Sequence, residues 1–252
     1  MHKDWLDPTE NPFEFRDDET GINHPVHSRG DGPPILILQE LPGIGRETFD
    51  LADLLIENGF KVYLPDLFGT FGQTERGALK NLRRLICIRH EFQVWRTGRQ
   101  SSIANWMRKL CAEIQTREDG QRLGVIGMCL TGSFAIPLMA EDAVQAAVAS
   151  QPSVPKPILF DRLHMSPSEV DRACRAMETK GTALAMRYKD DKFSTAAQMQ
   201  TLKSAFGPHL EVEEYDDPPG HTGNPHALLT LHPLPEAFDR TLEYFKDRFG
   251  LA

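Results

Sequence analysis

Gly124-Val125-Ile126-Gly127-Met128-Cys129-Leu130-Thr131-Gly132-Ser133-Phe134-Ala135 is the stretch around which the rest of the chain organises itself. An apolar run ends at a glycine, one residue intervenes, a cysteine follows, and small residues then open a helix. This is the layout of a sharp strand-to-helix turn that lifts its central side chain above a sheet. Small neighbours are required because strand and helix backbones approach closely there. A helix beginning at the turn would point its N-terminus at Cys129 and favour the thiolate over the thiol. A free cysteine after a strand is more often a small buried hydrophobe. The flanking glycines and the residues described below favour a nucleophile instead. Cys87, Cys111 and Cys174 have no such setting and read as structural or incidental.

Outward from this turn, short apolar runs alternate with helical patterns. Ile35–Leu38, Lys61–Pro65, Arg122–Gly127, Ala146–Ser150, Thr182–Arg187 and Leu210–Tyr215 read as strands. Helices are expected from about Arg46 to Asn58, with Gly59 as a stop, and along Ile103, Met107, Leu110 and Ile114. Ser166-Pro167-Ser168-Glu169 has capping-box spacing with proline at the first helical position. Met199, Leu202 and Phe206 mark another helix, and Phe238, Leu242, Phe245 and Phe249 form the apolar stripe of the last. The residues from about Gly69 to Arg99 read as loops and short helices crossing over the sheet. Such alternation predicts an α/β fold, with a mostly parallel central sheet and helices on both faces. One domain is expected over residues 31–252, with residues 1–30 as an N-terminal segment packed on it.

The 252 residues are 40% hydrophobic and 25% charged, an ordinary globular balance with room for a substantial core. A net charge of -8 argues against a nucleic-acid binder, whose footprint is basic. No run approaches the 18 or more apolar residues of a membrane span. The start, Met1-His2-Lys3-Asp4-Trp5-Leu6-Asp7, is acidic where a secretory signal would be apolar. Four scattered cysteines without a C-x-x-C pair fit neither a zinc site nor a disulfide framework, and reduced thiols in a cytoplasm are the simplest reading.

The chain resembles the dienelactone hydrolase family, within the α/β-hydrolase superfamily, from about Ile35 to Phe249. Gly127-Met128-Cys129-Leu130-Thr131-Gly132 matches the family's Gly-x-Cys-x-x-Gly turn. Leu38-Gln39-Glu40-Leu41-Pro42 matches its acidic residue after the first long strand, and Leu64-Pro65-Asp66-Leu67-Phe68 resembles its proline-aspartate-leucine strand end. The resemblance implies a Cys–Asp–His triad and hydrolysis of a small ester or lactone without metal or organic cofactor. Within Lys189-Asp190-Asp191-Lys192-Phe193 the family's Asp-x-Phe spacing selects Asp191 over Asp190. The Gly-His context of Pro219-Gly220-His221-Thr222-Gly223 selects His221, with His226 in reserve. His221 would serve as general base and acid, Asp191 would fix its tautomer, and the N–H groups of Leu41 and Leu130 would form the oxyanion hole. Glu40, which in the family contacts the resting cysteine, would help form the thiolate. The alternative is that Glu40 pairs with an arginine for structure alone.

Two departures bear on the inference. Thr131 stands where many members have glycine, which should crowd the turn somewhat. Pro225 stands four residues after His221, where members that cleave dienelactone carry an arginine for the substrate carboxylate. Arg83, Arg84, Arg89 or Arg96 could substitute, and each reads equally well as solvated surface charge. The expected partner is a small-molecule substrate, with no nucleic acid and no membrane, and a monomer is the default. The rival readings are a non-catalytic binding module of the same fold and a redox-responsive thiol protein. Ser133 lies inside the helix after the turn and is a poor replacement nucleophile.

Overall fold

The central sheet decides where chemistry can sit. The computed structural model describes residues 5–7, 12–73, 102–153, 165–218 and 220–251. Its elements are β1 (Phe13–Arg16), β2 (Asn23–Arg29), β3 (Pro34–Leu38), α1 (Arg46–Glu57), β4 (Lys61–Pro65), α2 (Ser102–Arg117), β5 (Leu123–Met128), α3 (Gly132–Ala135), β6 (Val144–Ser150), α4 (Pro167–Lys180), β7 (Ala183–Tyr188), α5 (Ala196–Phe206), β8 (Leu210–Tyr215) and α6 (Pro235–Phe249). The strands lie in the order β1-β2-β4-β3-β5-β6-β7-β8. β3 to β8 are mutually parallel, and β1 and β2 run antiparallel at one edge. Cys87, the four arginines 83, 84, 89 and 96, and most of the stretch expected to cross over the sheet lie outside the described residues.

The expected α/β-hydrolase architecture holds, and β3 shows why it forms. Every residue of Pro34-Ile35-Leu36-Ile37-Leu38 is buried, because a parallel strand covered on both faces must be apolar throughout. Its side chains alternate between two cores. Leu36 and Leu38 pack with Trp106, Met107 and Leu110 of α2 and with Met177 of α4. Ile35 and Ile37 pack on the opposite face with Leu51 and Leu55 of α1 and Phe245 of α6. The capping box at Ser166 forms as expected, with its hydroxyl accepting from Glu169 N–H.

Two elements differ from the expectation. Residues 13–16 and 23–29 are strands of the same sheet, with Val26 opposite Phe13 on one side and Pro65 on the other. Asn23-His24-Pro25-Val26-His27-Ser28-Arg29 lacks an apolar run because only Val26 is fully buried there. The helix after Cys129 is also short. A 3-10 turn over Cys129–Thr131 leads into the single α turn of α3, and a second 3-10 stretch over Ile136–Ala140 carries Pro137. A proline cannot donate to the preceding turn, so a regular helix does not run on. The N-terminal dipole expected at Cys129 is therefore only that of a brief turn.

Parallel strands share one carboxyl edge. The segments leaving β3, β5, β6 and β7 consequently carry Glu40, Cys129, Ser153 and Asp191 to the same rim, which in open α/β sheets is where ligands bind.

Candidate active site

Cys129 follows β5 with a positive backbone angle, φ 53°. Non-glycine residues rarely adopt this conformation, and it persists only where neighbouring structure imposes it. The two flanking glycines provide the room. A Cβ on Gly127 would lie 2.5 Å from the Thr131 carbonyl oxygen, and one on Gly132 would lie 2.9 Å from Pro152 Cα. Thr131, expected to crowd the turn, instead ties it down. Its buried hydroxyl accepts from Met128 N–H at 2.9 Å and donates to the Leu38 carbonyl at 2.9 Å. That single side chain joins the cysteine turn to the end of β3, the two segments that carry Leu130 and Leu41. The Cys129 side chain is half-buried, and its sulfur lies 3.0 Å from Ser153 Oγ.

Asp191 lies in the turn after β7 and is 4% exposed. Its Oδ1 accepts from Phe193 N–H at 2.8 Å and from the Asn224 amide at 3.2 Å. Its Oδ2 is 2.6 Å from Nδ1 of His226. Burial pushes this carboxyl up, but the hydrogen bond and charge of His226, together with the Phe193 and Asn224 donors, outweigh that and hold it below its ordinary value.

The histidine that the structure brings to Asp191 is His226, the reserve candidate, and not His221. His221 sits edge-on against His232, with ring centroids 4.5 Å apart, while Asp191 is already engaged by His226. Burial alone would depress the His226 imidazole. The bond to Asp191, followed by the Cys129 sulfur beside it, reverses this and pushes it up to about 10. Its Nε2 is buried and has no partner at hydrogen-bond distance. The sulfur therefore acts on the ring from close by without a formed bond, its own short contact being to Ser153.

Several side chains hold this geometry, and sequence reading missed them. Asn224 accepts from Lys192 N–H at 2.7 Å while donating to Asp191, so it pins the aspartate turn to the histidine loop. The buried Arg187 donates through Nη1 to the carbonyls of Tyr188, Lys189 and Ser194 around the same turn. His232 lies against the His226 backbone through Nδ1. None of these follows a periodic pattern; an Asn two residues before a histidine, or an arginine in an apolar strand, was the only local signal.

Glu40 is buried at the end of β3, and among the described residues its hydrogen-bond partners are Thr230 and Gln151, not an arginine. The Thr230 hydroxyl donates to Oε1, and the Gln151 amide donates to Oε2 at 3.1 Å. Burial raises its pKa, opposed by the Thr230 bond, the charge of His226 and the Gln151 bond. Glu40 therefore belongs to the electrostatic surroundings of His226, while the cysteine has Ser153 for its neighbour. Among the described residues, no group of three or more His, Cys, Asp or Glu side chains is arranged to hold a metal ion.

The comparison that decides the family is with its sequence model. The model of the dienelactone hydrolase family matches residues 21–224. The chain belongs to the dienelactone hydrolase family. It is accordingly a hydrolase of the lactone and ester class. The match ends two residues short of His226, in the loop where the two histidine candidates compete. Carboxymethylenebutenolidase of Rhodococcus opacus is 28% identical over 231 residues, covering 88% of this chain and 84% of that protein. Among solved structures, dienelactone hydrolase from Anabaena variabilis superposes with a TM-score of 0.59 at 14% identity, covering 95% of this chain and 98% of that one. A cold-adapted esterase from an Arctic intertidal metagenomic library gives 0.62 at 14% identity, covering 94% and 92%. At that identity the two structures speak for the fold alone. No helix among the described residues is long and apolar enough to cross a membrane.

Proposed function

We propose that this dienelactone hydrolase family member cleaves a small carboxylic ester or lactone through a thioester on Cys129. The observation that carries the reading is a cysteine held at φ 53° beside an imidazole whose far nitrogen is 2.6 Å from a buried carboxylate. The relative named carboxymethylenebutenolidase points to an unsaturated lactone as the first substrate to try.

In this mechanism the Cys129 thiolate attacks the carbonyl carbon, with the His226 imidazolium beside it and Asp191 stabilising that charge. The carbonyl oxygen becomes an oxyanion facing the N–H groups of Leu130 and Leu41. Collapse of the tetrahedral species breaks the bond to the leaving oxygen, which takes the proton from His226. In a lactone that oxygen stays tethered to the acyl group. Water then attacks the thioester while neutral His226 takes one of its protons, and collapse releases the acid and the thiolate. Thiolate and imidazolium are thereby restored, and no co-reactant beyond water is consumed. When ionised, Glu40 stabilises the imidazolium through space, a charge that its burial opposes and His226 favours.

The test is p-nitrophenyl acetate hydrolysis by the wild type, Cys129→Ala, His226→Ala and His221→Ala. The expected result is loss of at least a hundredfold in the first two variants, the usual scale for a general base, with His221→Ala within a few-fold of wild type. Full activity in Cys129→Ala, or loss in His221→Ala alone, overturns the assignment.

A further inference from the structure

We propose that Ser153 is a further catalytic residue, a hydroxyl donor to the Cys129 sulfur that stabilises the thiolate both at rest and when it leaves the thioester. The inference rests on the reading of Cys129 as nucleophile and adds a group that neither the cysteine turn nor the family pattern quoted above contains.

Ser153 is held against Cys129 at two points. Its backbone N–H donates to the Cys129 carbonyl at 3.0 Å, and its Oγ lies 3.0 Å from the sulfur. The hydroxyl has little freedom to turn elsewhere, because the segment leaving β6 is pinned residue by residue. Gln151 N–H donates to the Met186 carbonyl at 2.7 Å. The carbonyl of Pro152 accepts from the buried Ser194 hydroxyl at 2.8 Å, which comes from the aspartate turn. Pro152 also lies so close to Gly132 that no Cβ fits there. Ser153 itself is 7% exposed, so water does not readily replace it as a partner of the sulfur.

The direction of the bond follows from chemistry. A sulfur that has given up its proton can only accept, and a hydroxyl at this distance is its natural donor. Hydrogen bonds to an ionised acceptor are about twice as strong as neutral ones. The hydroxyl then adds to the His226 ring as a second group that stabilises the sulfur's charge. In the thioester the sulfur carries no charge and accepts weakly, so the bond loosens on acylation and re-forms as the thiolate departs. The Ser153 proton never leaves its oxygen, and the balance of the reaction is unchanged.

The test is alkylation of Cys129 by iodoacetamide at pH 7.5, followed by peptide mapping, in the wild type, Ser153→Ala and Ser153→Thr, with Cys174 as the internal reference. Alanine should slow Cys129 alkylation about tenfold, the lower end of what a hydrogen bond to a charged group is worth, and leave Cys174 unchanged. Threonine, which keeps the hydroxyl, should stay within about threefold of wild type. Ser153→Gly is a second removal of the hydroxyl should the alanine variant unfold, which urea denaturation monitors. Equal or faster Cys129 alkylation in the variants without the hydroxyl overturns the proposal. Wild-type protein in which Cys129 reacts no faster than Cys174 would overturn the nucleophile reading itself, a distinguishable failure.

Discussion

Replacing Thr131 with valine preserves the shape of a fully buried side chain and removes only its hydroxyl. That hydroxyl is the partner of Met128 N–H and a donor to the Leu38 carbonyl, each at 2.9 Å. Both backbone groups lie in the interior, where leaving a polar group unpaired costs roughly 1–3 kcal/mol. Allowing for partial relaxation, the expected loss is about 2–4 kcal/mol, which in a domain of this size lowers the melting temperature by roughly 4–16 °C. The same hydroxyl joins the two segments that carry the Leu41 and Leu130 N–H groups. A displacement of about 1 Å between such groups can cost 10²-fold in rate. In steady-state hydrolysis of p-nitrophenyl acetate, kcat should therefore fall by about tenfold or more with KM little changed. Thr131→Ser should recover most of both losses, and Thr131→Gly, the residue many family members carry, should not. A valine variant melting within 2 °C of wild type with kcat within about twofold would refute the reasoning.

Two further outcomes follow from the aspartate–histidine pair. Asn224→Ala removes donors and acceptors that pin the Asp191 turn to the His226 loop. It should cost about 1–2 kcal/mol in urea unfolding and lower kcat more than it raises KM; an unchanged pH–rate profile with full kcat would count against a positioning role. The pair should also make stability fall with rising pH. The folded pKa of His226 is raised from 6.5 towards about 10, so its contribution is complete below pH 6.5 and is lost as pH climbs towards the folded value. Asp191, held below 3.8, behaves oppositely, its share being present above 3.8 and lost on acidification. In a Cys129→Ala background, where the thiol's own proton does not enter, the stability difference from the same protein carrying His226→Gln should shrink above pH 6.5. The slope is at most about 1.4 kcal/mol per pH unit. A difference that stays constant between pH 6 and 9 would show that folding does not raise the His226 pKa.

Much of the architecture can be read locally because burial writes itself into periodicity. β3 is apolar at every position since both its faces are covered, and the capping box at Ser166 is satisfied within four consecutive residues. β1 and β2 leave no such trace: as antiparallel strands at the edge they are only half-buried, and β2 contains Pro25. The cysteine turn is equally local, since the glycines that admit Cys129 at positive φ lie within three residues of it.

What depends on meetings between distant segments is a different matter. Gly220-His221 and Pro225-His226 stand in one irregular loop, and nothing periodic distinguishes the two histidines. The choice is made by the path of that loop, through Asn224 bonded to Lys192 and Asp191, and through His232 against the His226 backbone. Ser153 on Cys129, and Thr230 and Gln151 on Glu40, are likewise separated by 24, 190 and 111 positions from the residues they serve. The six parallel strands and the cysteine turn are legible in the residues alone, because they follow from nearest-neighbour sterics and the alternation of buried faces. Which histidine meets Asp191, which hydroxyl meets Cys129 and which amide meets Glu40 depends on tertiary structure, because side chains with equal local propensity differ solely in where the folded backbone carries them.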